Sequence, residues 1–153
     1  MIWYFLLEFL NPPPYEPKIH HIEIKTSSEN HANCNNKKCL RVKICQTDDT
    51  NCCSTPLLKK KLKRYEIQWF GQDYIGNCYD FPIDKTLPIE FTFIHETGDG
   101  WKGVQATVHL HQNEEMPYVC PISKWLDDDE SHTTNCESPF IVSEFILWFI
   151  TYS

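Results

Sequence analysis

Cysteine is the residue type in this sequence best equipped for covalent chemistry, and there are eight: Cys34, Cys39, Cys45, Cys52, Cys53, Cys78, Cys120 and Cys136. An even number at this density in a 153-residue chain points to an oxidising compartment and a disulfide framework rather than to thiol catalysis. Sequence alone does not choose among the pairings. Adjacent Cys52 and Cys53 cannot easily bond to each other, so each should reach a different partner, with Cys78 a target for one. Cys120 and Cys136 bracket an acidic segment. They would close a loop of about 17 residues, worth about 3 kcal/mol in the chain-entropy model.

Metal chemistry has two candidate settings. His109 and His111 lie two apart on an expected strand and so share a face, forming a two-histidine half-site that Asp127, Asp128 or Asp129 could complete in a small metal-dependent enzyme. The competing account makes both histidines exposed polar positions alternating with Val108 and Leu110. Acidic residues also gather at Asp48 and Asp49, at Asp99, and from Asp127 to Glu130, all in expected loops, where carboxylates could serve calcium. None fits the twelve-residue EF-hand pattern, and solvated loop acids are the alternative. Zinc knuckles, a nucleophile elbow, a His-Glu-x-x-His helix and a phosphate-cradling glycine loop are all absent from the sequence, which has only five glycines. The residues therefore suggest binding rather than catalysis.

Charge narrows the partners. With 14 basic against 21 acidic residues, net -7, the chain lacks the footprint of a nucleic-acid binder. An acidic surface is also repelled by anionic headgroups, so membrane contact would need apolar side chains or a bridging cation. One local exception is the basic run from Lys59 to Arg64, expected to be a solvated loop or the guard of an edge strand.

The elements that position these residues read as short strands. Ile22 and Ile24 alternate with Glu23 and Lys25, and residues 40–45 repeat the pattern. Residues 65–69 alternate as well, and Ile89, Phe91 and Phe93 share a face of residues 88–95. After His95 a turn-rich stretch, residues 96–100, leads to Trp101 and to the alternating Val104, Ala106, Val108 and Leu110, which suggests a hairpin. Without helical periodicity or internal repeats, the pattern predicts an all-β antiparallel sandwich of two sheets of about four strands, braced by disulfides. Residues 18–122 form the expected domain, flanked by an apolar N-terminal segment with a proline-rich spacer (1–17) and by an acidic loop with an apolar C-terminal segment (123–153).

Both ends are apolar, and each is too short to span a bilayer. Residues 1–10 could be a degenerate signal peptide, interrupted by Glu8, or a short packed element before Pro12, Pro13 and Pro14. Residues 139–153 could be a final buried strand, the start of a truncated transmembrane helix, or a cleaved lipid-anchor tail. The expected setting is secreted or extracellular, with membrane attachment through the C-terminal segment as an option.

From Leu40 to Leu110 the order of features resembles the PLAT, or lipoxygenase homology, domain in a disulfide-rich extracellular variety. The residues that carry the resemblance are the strand from Arg41 to Cys45, the Cys52 and Cys53 pair, the segment Gly71 to Tyr74, the Ile75-Gly76 turn with Cys78, and the run Ile94 to Trp101. The early glycine-rich loop is replaced by Ser27 to His31, and glycines that shape some calcium sites are missing. The resemblance implies an eight-stranded sandwich without chemistry of its own, whose end loops engage a protein partner or a lipid surface, sometimes with calcium. A regulatory or targeting fragment of a larger lipid-acting enzyme is the alternative. Trp69, Phe70, Tyr74 and Tyr79 are the candidate contact residues, because exposed aromatics anchor interfaces. Core packing is the competing account of all four, and of Trp101.

Overall fold

Alternation in the sequence becomes alternation in burial. In a computed structural model, which describes residues 17–34, 38–46, 51–96, 100–111, 113–127 and 129–136, Leu40, Val42 and Ile44 are fully buried while Arg41 between them is exposed. The strands are β1 (Ile19–Thr26), β2 (Leu40–Gln46), β3 (Asn51–Ser54), β4 (Ile67–Phe70), β5 (Ile89–His95), β6 (Trp101–Leu110), β7 (Asn113–Leu126) and β8 (Ser131–Cys136). A one-turn helix, α1 (Gln72–Ile75), and a 3-10 turn (Gly76–Cys78) follow β4. The strands form two antiparallel sheets ordered β4-β1-β6-β7 and β3-β2-β5-β8, the all-β sandwich that the patterning predicts.

Two local expectations change. The turn-rich stretch after His95 does not close a hairpin: β5 pairs with β2 and β8, whereas β6 pairs with β1 and β7, so the chain crosses between sheets there. Each of the two strands carries its own inner-facing apolar row, and the rows meet across the core, where Phe93 of β5 lies against Trp101 of β6. In β6 the alternation also slips. Trp101 and Gly103 face inward, a bulge lies between Gly103 and Gln105, and Ala106, Val108 and Leu110 then take over the inner face, leaving Val104 half-buried. A Cβ at Gly103 would run into the Trp101 indole and Ile122, so only glycine lets the ring lie there.

Trp101 centres the core. It is fully buried, its Nε1 donates to Thr26 Oγ1 at 3.0 Å, and its ring stands 5.9 Å from that of Phe93 in the opposite sheet. That polar handle is what allows an indole to be buried at low cost. The sandwich continues past residue 122: β7 runs to Leu126, and β8 completes the second sheet beside β5.

All eight cysteines are paired, as Cys34–Cys39, Cys45–Cys52, Cys53–Cys78 and Cys120–Cys136. Cys52 and Cys53 thus reach different partners. Cys45–Cys52 is a cross-strand bond between directly opposed residues of β2 and β3, and Cys120–Cys136 ties β7 of one sheet to β8 of the other. The two apolar ends, residues 1–16 and 137–153, lie outside the described residues, as do Asp48, Asp49, Asp99 and Asp128. Among the described residues no helix is long and apolar enough to cross a membrane.

Candidate functional site

Strand β4 lies at the edge of its sheet, and its pairing with β1 decides which side chains face water. Ile22 stands opposite Phe70 and both are fully buried, so the alternate residues of β4 must point outward. Ile67 and Trp69 are accordingly 59% and 46% exposed, and Tyr65, in the turn before β4, is 66% exposed. The alternation of residues 65–69 is real, but its apolar face is the outer one. Tyr65 also has a positive φ of 71°, unusual for an aromatic residue, and so stores strain at a surface position. The Trp69 indole covers Gly71, where a Cβ would collide with it.

The basic run borders this strip. Leu58 and Leu62 are buried and pin it down: Leu58 N–H donates to the Leu40 carbonyl, and Leu62 exchanges backbone bonds of 2.8 and 3.0 Å with Cys34. Lys59, Lys61, Lys63 and Arg64 remain exposed. Lys60 folds over β4, donates to the Trp69 carbonyl and stands 4.3 Å from the Tyr74 ring centroid and 5.2 Å from that of Phe70, so it guards the open edge while making cation-π contacts. Burial lowers the pKa of Lys60 below the ordinary lysine value. The Arg64 guanidinium lies 5.2 Å from the Tyr65 ring and donates to Asn30 Oδ1 at 2.6 Å. Next to it, Asn30, His31, Asn33, Lys63 and Arg64 line an open cleft of about 430 Å³.

Four histidines meet on the same sheet beside Trp69. A register shift between Ile19 and His21 adds one residue to β1, so the buried Ile19 and Ile22 are separated by two histidines that are both half-exposed. His21 stands opposite His109 of β6, their rings stacked at 4.2 Å, and Glu23 stands opposite Thr107. The Glu23 carboxylate lies 3.7 Å from His21 Nε2 and 3.3 Å from His109 Nε2. Nδ1 of His20 and Nδ1 of His21 share a hydrogen bond of 2.7 Å, and His111 pairs with Asp80 at 2.5 Å. His21 is held down at a pKa of about 4, first by burial and then by repulsion from His109 and His20, against the opposing pull of Glu23.

Of the expected contact residues, Trp69 is exposed, Tyr74 and Tyr79 are half-buried against the core, and Phe70 belongs to the core. Phe70 leaves the surface because it faces Ile22 across the ladder. Tyr74 meets the strip through Lys60, and Tyr79 meets it through His20, whose ring lies 6.2 Å from Tyr79 and 6.5 Å from Trp69. The constellation of His109, His111 and Asp127 does not assemble. His109 pairs with His21 and Glu23 and His111 with Asp80, while Asp127 lies against Gly100 at the far end of β6, roughly 30 Å from His109 at the usual rise of a strand. The cluster of His20, His21, Glu23 and His109 is therefore a grouping that spacing did not reveal. The adjacent histidines were visible, but the bulge and the β1–β6 register that join them to His109 were not.

No family model matches the chain, and no curated protein matches it. Solved structures match its fold. A lipoxygenase deletion variant aligns with a TM-score of 0.53 and 14% identity over 82% of this chain and 18% of its own, and its complex with arachidonate aligns equally well. The alpha-toxin of Clostridium perfringens aligns with a TM-score of 0.52 and 12% identity over 88% of this chain and 36% of its own. That of Clostridium absonum gives 0.50 and 16%, over 86% and 35%. The chain thus spans well under half the length of these proteins. The likeness is one of fold, and the fold is that of a PLAT-like β-sandwich, as the resemblance implied.

Proposed function

We propose that the chain is a non-catalytic binding module of a secreted or cell-surface protein, and that it docks on anionic lipid surfaces through the outer edge of β4 and the basic run beside it. The observation that carries this is the juxtaposition of exposed Tyr65, Ile67 and Trp69 with five of the 14 basic residues, Lys59, Lys60, Lys61, Lys63 and Arg64. Exposed apolar strips rimmed by polar groups mark interaction surfaces, and Trp and Tyr favour the headgroup level of a bilayer. The three side chains still expose roughly 300 Å², worth about 7–8 kcal/mol on full transfer out of water at about 25 cal/mol per Å². Each basic residue near an anionic surface adds about 1 kcal/mol. The remaining surface of a chain with net charge -7 is repelled, so the electrostatics also orient the domain. This docking face lies on a sheet edge and not on the sandwich-end loops.

The cleft lined by Asn30, His31, Lys63 and Arg64 adjoins Tyr65 and suits a phosphate headgroup. The same docking would serve a targeting domain of a larger lipid-acting enzyme, which the short span of the chain against its structural neighbours favours as a second reading. Flotation with phosphatidylserine-containing and with pure phosphatidylcholine vesicles, with and without calcium, tests the proposal. Binding is expected to the anionic vesicles alone, to weaken with salt, and to be lost in the Ile67→Ser/Trp69→Ser variant. No flotation under any condition would overturn it in favour of a protein partner.

A further inference from the structure

We propose that the outer face of β1 and β6 holds a transition-metal ion, zinc in the first instance, between His21 Nε2, His109 Nε2 and the Glu23 carboxylate. One ligand atom from each of the three residues lies within 4.8 Å of the others, and the carboxylate oxygens stand 3.3 and 3.7 Å from the two nitrogens. Ligands held about 2.0–2.2 Å from a tetrahedral ion are roughly 3.3–3.6 Å apart. The His21 and His109 rings are stacked 4.2 Å apart and within 9° of parallel, so one imidazole must turn out of the stack to bring its in-plane Nε2 lone pair onto the shared ion. Two imidazoles and one carboxylate are the donor set of zinc, copper or nickel, whereas calcium requires six to eight oxygens.

Three features of the surroundings fit a built site. The extra residue in β1 turns two consecutive histidines outward, the kind of re-aiming for which bulges are used. His20 then sits behind His21 with Nδ1 facing Nδ1 at 2.7 Å. When His21 Nδ1–H donates to His20, the lone pair of His21 rests on Nε2, directed at the Glu23 carboxylate. This is the tautomer that a metal ligand takes when its other nitrogen donates to a neighbour; with the roles in the His20–His21 hydrogen bond reversed, His21 Nε2–H faces the carboxylate in the free protein. Thr107 Oγ1, 3.4 Å from Glu23 Oε2 and 3.1 Å from His109 Nε2, is placed to orient the carboxylate from the opposite strand. The three residues are half-buried, so the remaining coordination positions open to water. This inference stands independently of the lipid proposal.

Calorimetric titration of the tag-free, fully oxidised chain with zinc tests it, alongside copper titration read by indole fluorescence, because the Trp69 ring lies 5.1 Å from that of His21. One equivalent of zinc is expected to bind, and copper to quench the Trp69 emission. H21A, H109A and E23Q should each weaken zinc binding about tenfold or more, while H132A, on β8, leaves it unchanged. If H21A fails to form its four disulfides, H109Q reads the same ligand loss. Absence of zinc binding by the wild-type chain, or unchanged affinity in both H109Q and E23Q, would overturn the assignment.

Discussion

Removing the Cys120–Cys136 bridge by Cys120→Ala/Cys136→Ala tests how the two sheets are held together. Both residues are fully buried, and the bond joins β7 to β8 across a sequence separation of 16. In the chain-entropy model, opening a loop of about 17 residues costs about 3 kcal/mol, and the small void left by two sulfurs adds up to about 1 kcal/mol. The same relation gives about 2 kcal/mol for Cys34–Cys39, with a separation of 5, and about 3.5 kcal/mol for Cys53–Cys78, with a separation of 25. Urea unfolding followed by tryptophan emission measures each loss, and the denaturant slope should rise as the unfolded chain expands. A loss below about 1 kcal/mol for Cys120–Cys136, or a greater loss for Cys34–Cys39 than for Cys53–Cys78, would refute the reasoning that loop closure governs these bridges.

Trp101→Phe removes the donor to Thr26 Oγ1 and part of the ring packed on Phe93, and is expected to cost about 2–3 kcal/mol in urea unfolding. Gly71→Ala places a Cβ against the Trp69 indole, so Trp69 emission should shift while most of the stability is kept. Burial, with a smaller contribution from Lys124, holds the His132 pKa below its ordinary value of about 6.5. The unfolded chain therefore takes up this proton first. Stability falls as pH drops below about 6.5 and stops falling through this group once pH is below its folded pKa, so His132→Gln should flatten that part of a stability-against-pH curve.

Much of the sandwich was legible because strands β1, β2, β5 and β6 carry period-2 apolar rows, which burial requires. β3 and β8 were not legible: Asn51 to Ser54 and Ser131 to Cys136 have no aliphatic residue, and their pairing is fixed instead by disulfides and by contacts such as Thr92 Oγ1 to Thr133 Oγ1 at 2.9 Å. Local turn chemistry also misled at residues 96–100. A glycine-rich turn permits a hairpin but does not compel one, and the two flanking strands each found partners elsewhere. At the site, Trp69 is exposed, as a candidate contact residue must be. Its neighbour Phe70 was not separable from it, since parity along β4 is fixed by β1 rather than by the residues of β4. The gathering of His20, His21, Glu23 and His109 depends on a bulge and an inter-strand register, neither of which a linear pattern carries.

Depth-dependent quenching of Trp69 on vesicles tests the docking claim most directly. With brominated acyl chains in phosphatidylserine-containing vesicles, part of the indole emission should be quenched, and that part should disappear in Trp69→Phe, because Trp69 is the exposed indole of the β4 strip while Trp101 is fully buried. Equal quenching in the wild type and in Trp69→Phe would contradict the account, since the edge of β4 would then not be the surface that meets the lipid.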